Sequence, residues 1–243
     1  MGRTRMLALA GRALHARGHD VVLVAAPAGA AHHASSALLR ELADALGAPF
    51  VEVAELGAQD ALSTIADSGA EVGVSVNWPT LVAPGVLEAF AHGVLNAHAG
   101  DLPRYRGNAT LGWAILSGEP ELVVAVHRMD AGLDSGPVLA TRARPVDDAT
   151  YVGDLYAFCE RVVPDMFVEV VDGLAAGTLA AVPQDLRPEA SLRCFPRAPE
   201  DGWIDWSQDA ASLARLVRAS SAPLAGAYTA LGDGRLTIWR AHA

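Results

Sequence analysis

Short apolar runs alternating with stretches of helical period decide what this chain can become. Residues 20–26 (DVVLVAA) form a continuous, β-branched run, the pattern of a strand covered on both faces. Residues 50–53, 72–76, 94–97, 122–129 and 138–145 add further strand-like runs. Between them, Met6, Leu9, Ala10 and Leu14 recur at helical spacing and Gly18 offers a C-cap. Helices are also predicted over 36–46, 62–68, 84–91 and 108–117. Pro84 opens one of them and Asn108 caps another. A long helix over 151–174 carries Pro164, which should kink it by removing a backbone donor. This alternation predicts a largely parallel α/β sheet up to about residue 175. From Leu179 onward Pro183, Pro188, Pro196 and Pro199 punctuate a polar stretch, followed by a helix over 210–219 and a strand over 235–240. The division is a domain over 1–180 and a short C-terminal subdomain over 181–243.

Composition narrows the function. A net charge of −10 disfavours a protein that gains affinity by neutralising polynucleotide phosphates. All 18 basic residues are Arg, which removes Schiff-base lysines and phosphate-loop lysines. Cys159 and Cys194 are too few and too separated for a disulfide framework. No apolar run approaches the ~18 residues of a membrane span, and no signal-peptide pattern occurs. These features predict a cytoplasmic protein with no membrane partner and no metal.

The segment VLNAHAGDLPRYRG (94–107) carries the chemistry. An apolar strand that ends in Asn96 and His98 sends a carboxamide and an imidazole from the same face, since strand residues two apart project together. Ligands of open α/β sheets bind outside the carboxyl ends of the strands. Asp134 lies in the glycine-containing loop MDAGLDSG (129–136) between two apolar strands, and the loop can bring its carboxylate near His98. Asn, His and Asp supply an oxyanion donor, a proton shuttle and a group that orients the imidazole. No Gly-x-Ser-x-Gly turn occurs, so a side-chain nucleophile is not expected.

The run NAHAGDLPRYRGNATLGWAIL and the loop MDAGLDSGPVL resemble the 10-formyltetrahydrofolate-dependent formyltransferases, closest to the nucleotide-sugar and methionyl-tRNA branch. The tail motifs PRAPEDGWIDW and RLTIW resemble the region that follows the catalytic domain in that branch. The resemblance implies a Rossmann-like sheet flanked by helices, here with the family's first strand missing, and a small β-containing appendage. It implies formyl transfer from 10-formyltetrahydrofolate to a primary amine. Asn96 would donate to the oxyanion, His98 would shuttle the proton, and Asp134 would hold His98. The pterin would meet backbone at Thr80, Leu81 and Val82 and at Met129, Asp130, Ala131, Gly132 and Leu133.

For the acceptor, the absence of Arg from residues 27–32 and the acidic charge favour a nucleotide-linked amino sugar or another small intermediate over methionyl-tRNA. A formyl-folate hydrolase and a non-catalytic folate- or nucleotide-binding homologue are the alternatives, and a homodimer is allowed. His127, mid-strand and inward, reads as a packed structural histidine. His32 and His33 read as exposed loop. Arg104 and Arg106 read equally as phosphate contacts and as loop braces.

Overall fold

The structure, a computed structural model, describes residues 1–29 and 33–243. The first elements are α1 (Arg5–Arg17), β1 (Val24–Pro27), α2 (His33–Leu46), β2 (Phe50–Val53), α3 (Gln59–Asp67), β3 (Gly73–Val76) and α4 (Pro84–Glu88). Next come β4 (Val94–His98), β5 (Tyr105–Gly107), α5 (Thr110–Leu116), β6 (Glu121–Arg128), β7 (Val138–Pro145) and α6 (Val152–Ala175). The chain ends in β8 (Leu192–Cys194), α7 (Ala210–Ser220), β9 (Ala227–Leu231) and β10 (Gly234–Ile238). His32 lies outside the described residues. His33 opens α2 rather than sitting in a loop.

Two compact units emerge. The first comprises Met1–His98, Ala125–Thr141 and Glu160–Leu186; the second comprises Ala99–Val124, Arg142–Cys159 and Arg187–Ala243.

β3, β4, β6 and β7 form one sheet in that order, of which the first unit holds β3, β4 and residues 125–128 and 138–141, and β1 pairs with β2 in parallel. The sheet is mixed rather than largely parallel. β3 and β4 run together, but β6 re-enters beside β4 from the end at which the chain left it, so that pair is antiparallel. Met1 and Gly2 lie between β1 and β3. Gly2 N donates to Ala25 O at 3.1 Å, Val76 N donates to Met1 O at 3.2 Å, and the Met1 amino group donates to Val74 O at 2.7 Å. This two-residue stub satisfies backbone groups on both neighbours, where unpaired buried polar groups are costly. A Cβ at Gly2 would stand 2.1 Å from Val76 O, so only glycine fits that approach.

α6 buries Val163, Met166, Phe167 and Val170 in the first unit almost completely, and it remains one helix across Pro164. Its far end is tied to α1: Arg17 Nε and His19 Nε2 meet the Asp172 carboxylate at 2.7 and 2.9 Å. Arg17, then His19, hold that carboxyl below the ordinary range. A carboxylate whose folded pKa is lowered adds stability above its unfolded pKa of about 4, and that stability is lost as pH falls through the folded value. Asp172→Asn is therefore expected to flatten the loss of melting temperature below about pH 4, read by thermal denaturation across pH.

In the second unit, β5 pairs with β8 in parallel and β9 pairs with β10 as a hairpin. β5, β8 and β9 are not among the strands expected from the sequence: their segments YRG, LRC and AYTAL lack the continuous apolar, β-branched run that marks residues 20–26. The Arg218 guanidinium, 5% exposed, donates to Asp147 O and Thr150 O at 2.8 and 3.1 Å. Trp203 meets Tyr228 edge to face, and Trp206 Nε1 donates to Thr229 Oγ1. Among the described residues no helix is long and apolar enough to cross a membrane.

Candidate active site

β4 carries the two polar side chains because its neighbours make it a covered central strand whose last residues open onto the loop end. All five of its residues are buried, Asn96 at 9% and His98 at 7% exposure. The antiparallel register sets Asn96 opposite His127 and His98 opposite Ala125. The parallel register on the other side sets Ser75 opposite Asn96. A row of three polar residues, Ser75, Asn96 and His127, therefore crosses β3, β4 and β6 on one face.

His127 is packed, as its mid-strand position suggested, and it is also hydrogen-bonded to a site residue. It is 1% exposed, and its Nδ1 lies 3.2 Å from Arg128 O while its Nε2 lies 3.2 Å from Asn96 Nδ2. A carbonyl only accepts, so Nδ1 carries the proton and Nε2 accepts from the Asn96 amide. This assigns the Asn96 side chain: its nitrogen faces His127, and its second N–H is directed elsewhere. No pattern in the sequence signals this, because only the register between two strands brings the pair together.

Asp134 completes the group. Its Oδ2 is 3.5 Å from His98 Nδ1 and its Oδ1 is 3.6 Å from His127 Nε2, so one carboxylate lies against two imidazoles. The two rings stand edge to face with centroids 6.5 Å apart. Asp134 adopts φ 49, a left-handed conformation that a non-glycine residue holds only when its surroundings impose it. The loop imposes it from several sides. Met129 N donates to Val94 O at 2.7 Å and Arg128 N to Pro137 O at 3.0 Å. Asp130 Oδ1 accepts from Gly132 N at 3.0 Å and from Ser135 Oγ at 2.6 Å, closing a turn within the loop.

The residues expected to meet the pterin fall into two groups. Val82 is buried in an apolar cluster with Leu56, Ile65, Val86, Phe90 and Val94, and Met129 and Trp78 each pack against the same cluster. Packing thus joins the 80–82 segment to the start of the Asp134 loop. Thr80 and Leu81 are exposed, as are Asp130, Ala131 and Gly132, while Leu133 is half-buried.

Arg104 is a loop brace. It forms an ion pair with Glu119, which also accepts from Tyr105 Oη at 2.7 Å, and this pairing raises the Arg104 pKa further. A cavity of about 210 Å³ in the second unit is lined in part by these three residues. Among the described residues no cluster of His, Cys, Asp and Glu suits a metal ion.

The arrangement offers an oriented amide N–H, an imidazole and a carboxylate that can hold the ring and relay a proton. His127→Leu removes the acceptor that orients Asn96 while keeping an apolar body in its place. It is expected to lower kcat about 10-fold, the equivalent of one lost hydrogen bond to a reacting group, with little change in KM. Steady-state kinetics on folded variant protein checks this.

Comparison with known proteins agrees with the motif. The formyl transferase family profile matches residues 4–171, and the formyl transferase C-terminal domain profile matches residues 197–243. The methionyl-tRNA formyltransferase of Clavibacter michiganensis subsp. michiganensis is 34% identical over 236 residues, covering 94% of this chain and 74% of that protein. The sugar N-formyltransferase of Shewanella sp. FDAARGOS_354 shares the fold with a TM-score of 0.74 at 15% identity, over 99% of this chain and 94% of that one. The N-formyltransferase of Helicobacter canadensis, solved with folinic acid and dTDP-3-aminofucose, has a TM-score of 0.69 at 18% identity, over 90% and 78% of the two chains. Relatives named for methionyl-tRNA give no support to the expectation that nucleic acid is excluded. With its profile matched over most of its length and a relative at 34% identity, the chain belongs to the formyl transferase family.

Proposed function

We propose that this enzyme transfers a formyl group from 10-formyltetrahydrofolate to a primary amine on a nucleotide-linked amino sugar or a similar small biosynthetic intermediate, in the cytoplasm. The catalytic part is residues 1–180, with a short C-terminal subdomain over 181–243. The observation that carries the reading is the Asp134 carboxylate 3.5 Å from His98 Nδ1, on the face where His127 turns the Asn96 amide nitrogen.

The folate supplies an activated formyl carbon bonded to nitrogen. The amine nitrogen attacks that carbon, the new C–N bond forms, the bond to the folate nitrogen breaks, and one proton passes from the amine to the departing nitrogen. Asn96 donates its second amide N–H to the formyl oxygen as it becomes negative. His98 takes the proton from the attacking nitrogen and returns it to the departing one. Asp134 holds the ring through Nδ1 and steadies the imidazolium while it is charged. The flat donor fits the residues present: exposed Leu81 and the exposed residues 130–132 adjoin, in sequence, Val82 and Met129 of one apolar cluster. On this reading the hydrogen bonding there would go to backbone groups rather than to the side chains of Thr80 and Ala131.

A second reading, formylation of methionyl-tRNA, is favoured by the 34% identity to an enzyme of that name. The net charge of −10 weighs against it. The test is turnover with 10-formyltetrahydrofolate and three acceptors: a dTDP-amino sugar, glycinamide ribonucleotide and methionyl-tRNA. An N-formyl amino sugar that disappears with His98→Ala is the expected product. Formylation of the tRNA alone would transfer the assignment to the second reading, and folate binding without product from any amine would sink both.

A further inference from the structure

We propose that Gln184 is a positioning residue for this reaction, holding Asp134 in place through the backbone of its loop. The inference rests on the reading of Asp134 as the carboxylate partner of His98. Gln184 Nε2 donates to Asp134 O at 2.9 Å and to Gly136 O at 2.6 Å. Both hydrogens of one amide nitrogen thus bracket Ser135 and tie the two ends of the turn to a single point.

That point is itself anchored. Gly177, at φ 65, reverses the chain after α6, and Thr178 N donates back to Gly173 O at 3.0 Å. Two residues before Gln184, Val182 and Val138 exchange N–H···O bonds at 2.8 and 2.9 Å, docking the segment on β7. The carboxamide is therefore presented from a fixed backbone, and its geometry is not left to a freely rotating surface side chain.

The need for such a tether follows from Asp134 itself. A non-glycine residue at φ 49 relaxes toward commoner backbone conformations unless its peptide groups are held. The bonds inside the loop fix Asp130, Gly132 and Ser135. Gln184 restrains the carbonyls of Asp134 and Gly136, which those bonds leave to another donor. Its effect on chemistry passes through the placement of the carboxylate, where a shift of about 1 Å can cost on the order of 100-fold in rate.

The test compares Gln184→Ala and Gln184→Glu with the parent chain, each alone and combined with Asp134→Asn. The glutamate keeps the length but, when ionised, sets oxygens against two carbonyl oxygens. Both single variants are expected to fold with a melting temperature a few degrees below the parent, to lower kcat about 10- to 100-fold, and to leave KM for the amine unchanged. In the Asp134→Asn background, Gln184→Ala is expected to cost nothing further, because the group it positions is already disabled. Equal costs in both backgrounds would overturn the proposal. Hydrogen exchange of the amides of residues 131–136 in the unliganded protein should quicken in Gln184→Ala. Unchanged exchange would overturn the tether whether or not the protein turns over. A parent chain inactive with every amine, by contrast, would overturn the formyl-transfer reading itself.

Discussion

Asn96→Ala is expected to lower kcat for formyl transfer about 10²- to 10³-fold, equivalent to ~3–4 kcal/mol of barrier, and to leave KM for the folate nearly unchanged. The size follows from geometry. One Asn96 N–H is spent on His127 Nε2, which fixes the plane of the amide, and on the proposed mechanism the other would meet the developing charge without any reorganisation. A donor that is held before the reaction begins helps the transition state more than the ground state. Asn96→Asp is expected to be at least as damaging, since it replaces a donor by an acceptor facing the His127 lone pair and adds a second carboxylate beside Asp134. Alanine also leaves His127 Nε2 without its donor, at a cost of roughly 1–3 kcal/mol in stability, so kinetics must be read on protein shown to be folded. Folded Asn96→Ala with kcat within a few-fold of the parent would remove the carboxamide from the mechanism.

The parts of this site that could be read in advance are those that violate a pattern. Asn96 and His98 stand out because an apolar strand has no packing reason to end in a carboxamide and an imidazole, and Asp134 stands out because its loop separates two apolar runs. The long helix is legible through its buried stripe, which the structure finds at Val163, Met166, Phe167 and Val170. What could not be read is whatever depends on register or on distant pairing. A buried histidine in mid-strand gives the same signal whether it packs or accepts a hydrogen bond, so His127 was visible only once Asn96 lay opposite it. β5 and β8 each show three residues, and their pairing joins segments far apart in the chain. Gln184 sits in a proline-punctuated stretch without period, and its role exists only through its hydrogen bonds to the Asp134 loop. The parallel expectation failed at β6 for a related reason: a run covered on both faces looks the same whichever way it points.

Gly136→Ala is expected to disable the enzyme from a position that bears no chemistry. A Cβ there would lie 1.8 Å from Arg128 O and 3.4 Å from Asp130 N, both backbone atoms of the strand end and the loop that follow His127. Neither can swing aside as a side chain tip would, so the loop itself must move. Overpacking of this kind costs typically 1–3 kcal/mol and sometimes more. At ~2–4 °C per kcal/mol for a chain of this size, the melting temperature should fall roughly 2–12 °C. The displaced segment includes Gly136 O, one of the two acceptors of Gln184, and lies two residues from Asp134, so kcat should fall about 100-fold in the fraction that remains folded. Gly132→Ala supplies the control. Its Cβ would meet Ser135 Oγ at 2.1 Å, but that atom is the end of a rotatable side chain, so it can swing aside at the cost of its bond to Asp130 while the backbone stays in place. The expected order is therefore a large loss for Gly136→Ala and a small one for Gly132→Ala, in both melting temperature and kcat. Equal effects from the two would mean that the loop tolerates displacement and that Asp134 is not held as tightly as its neighbours require.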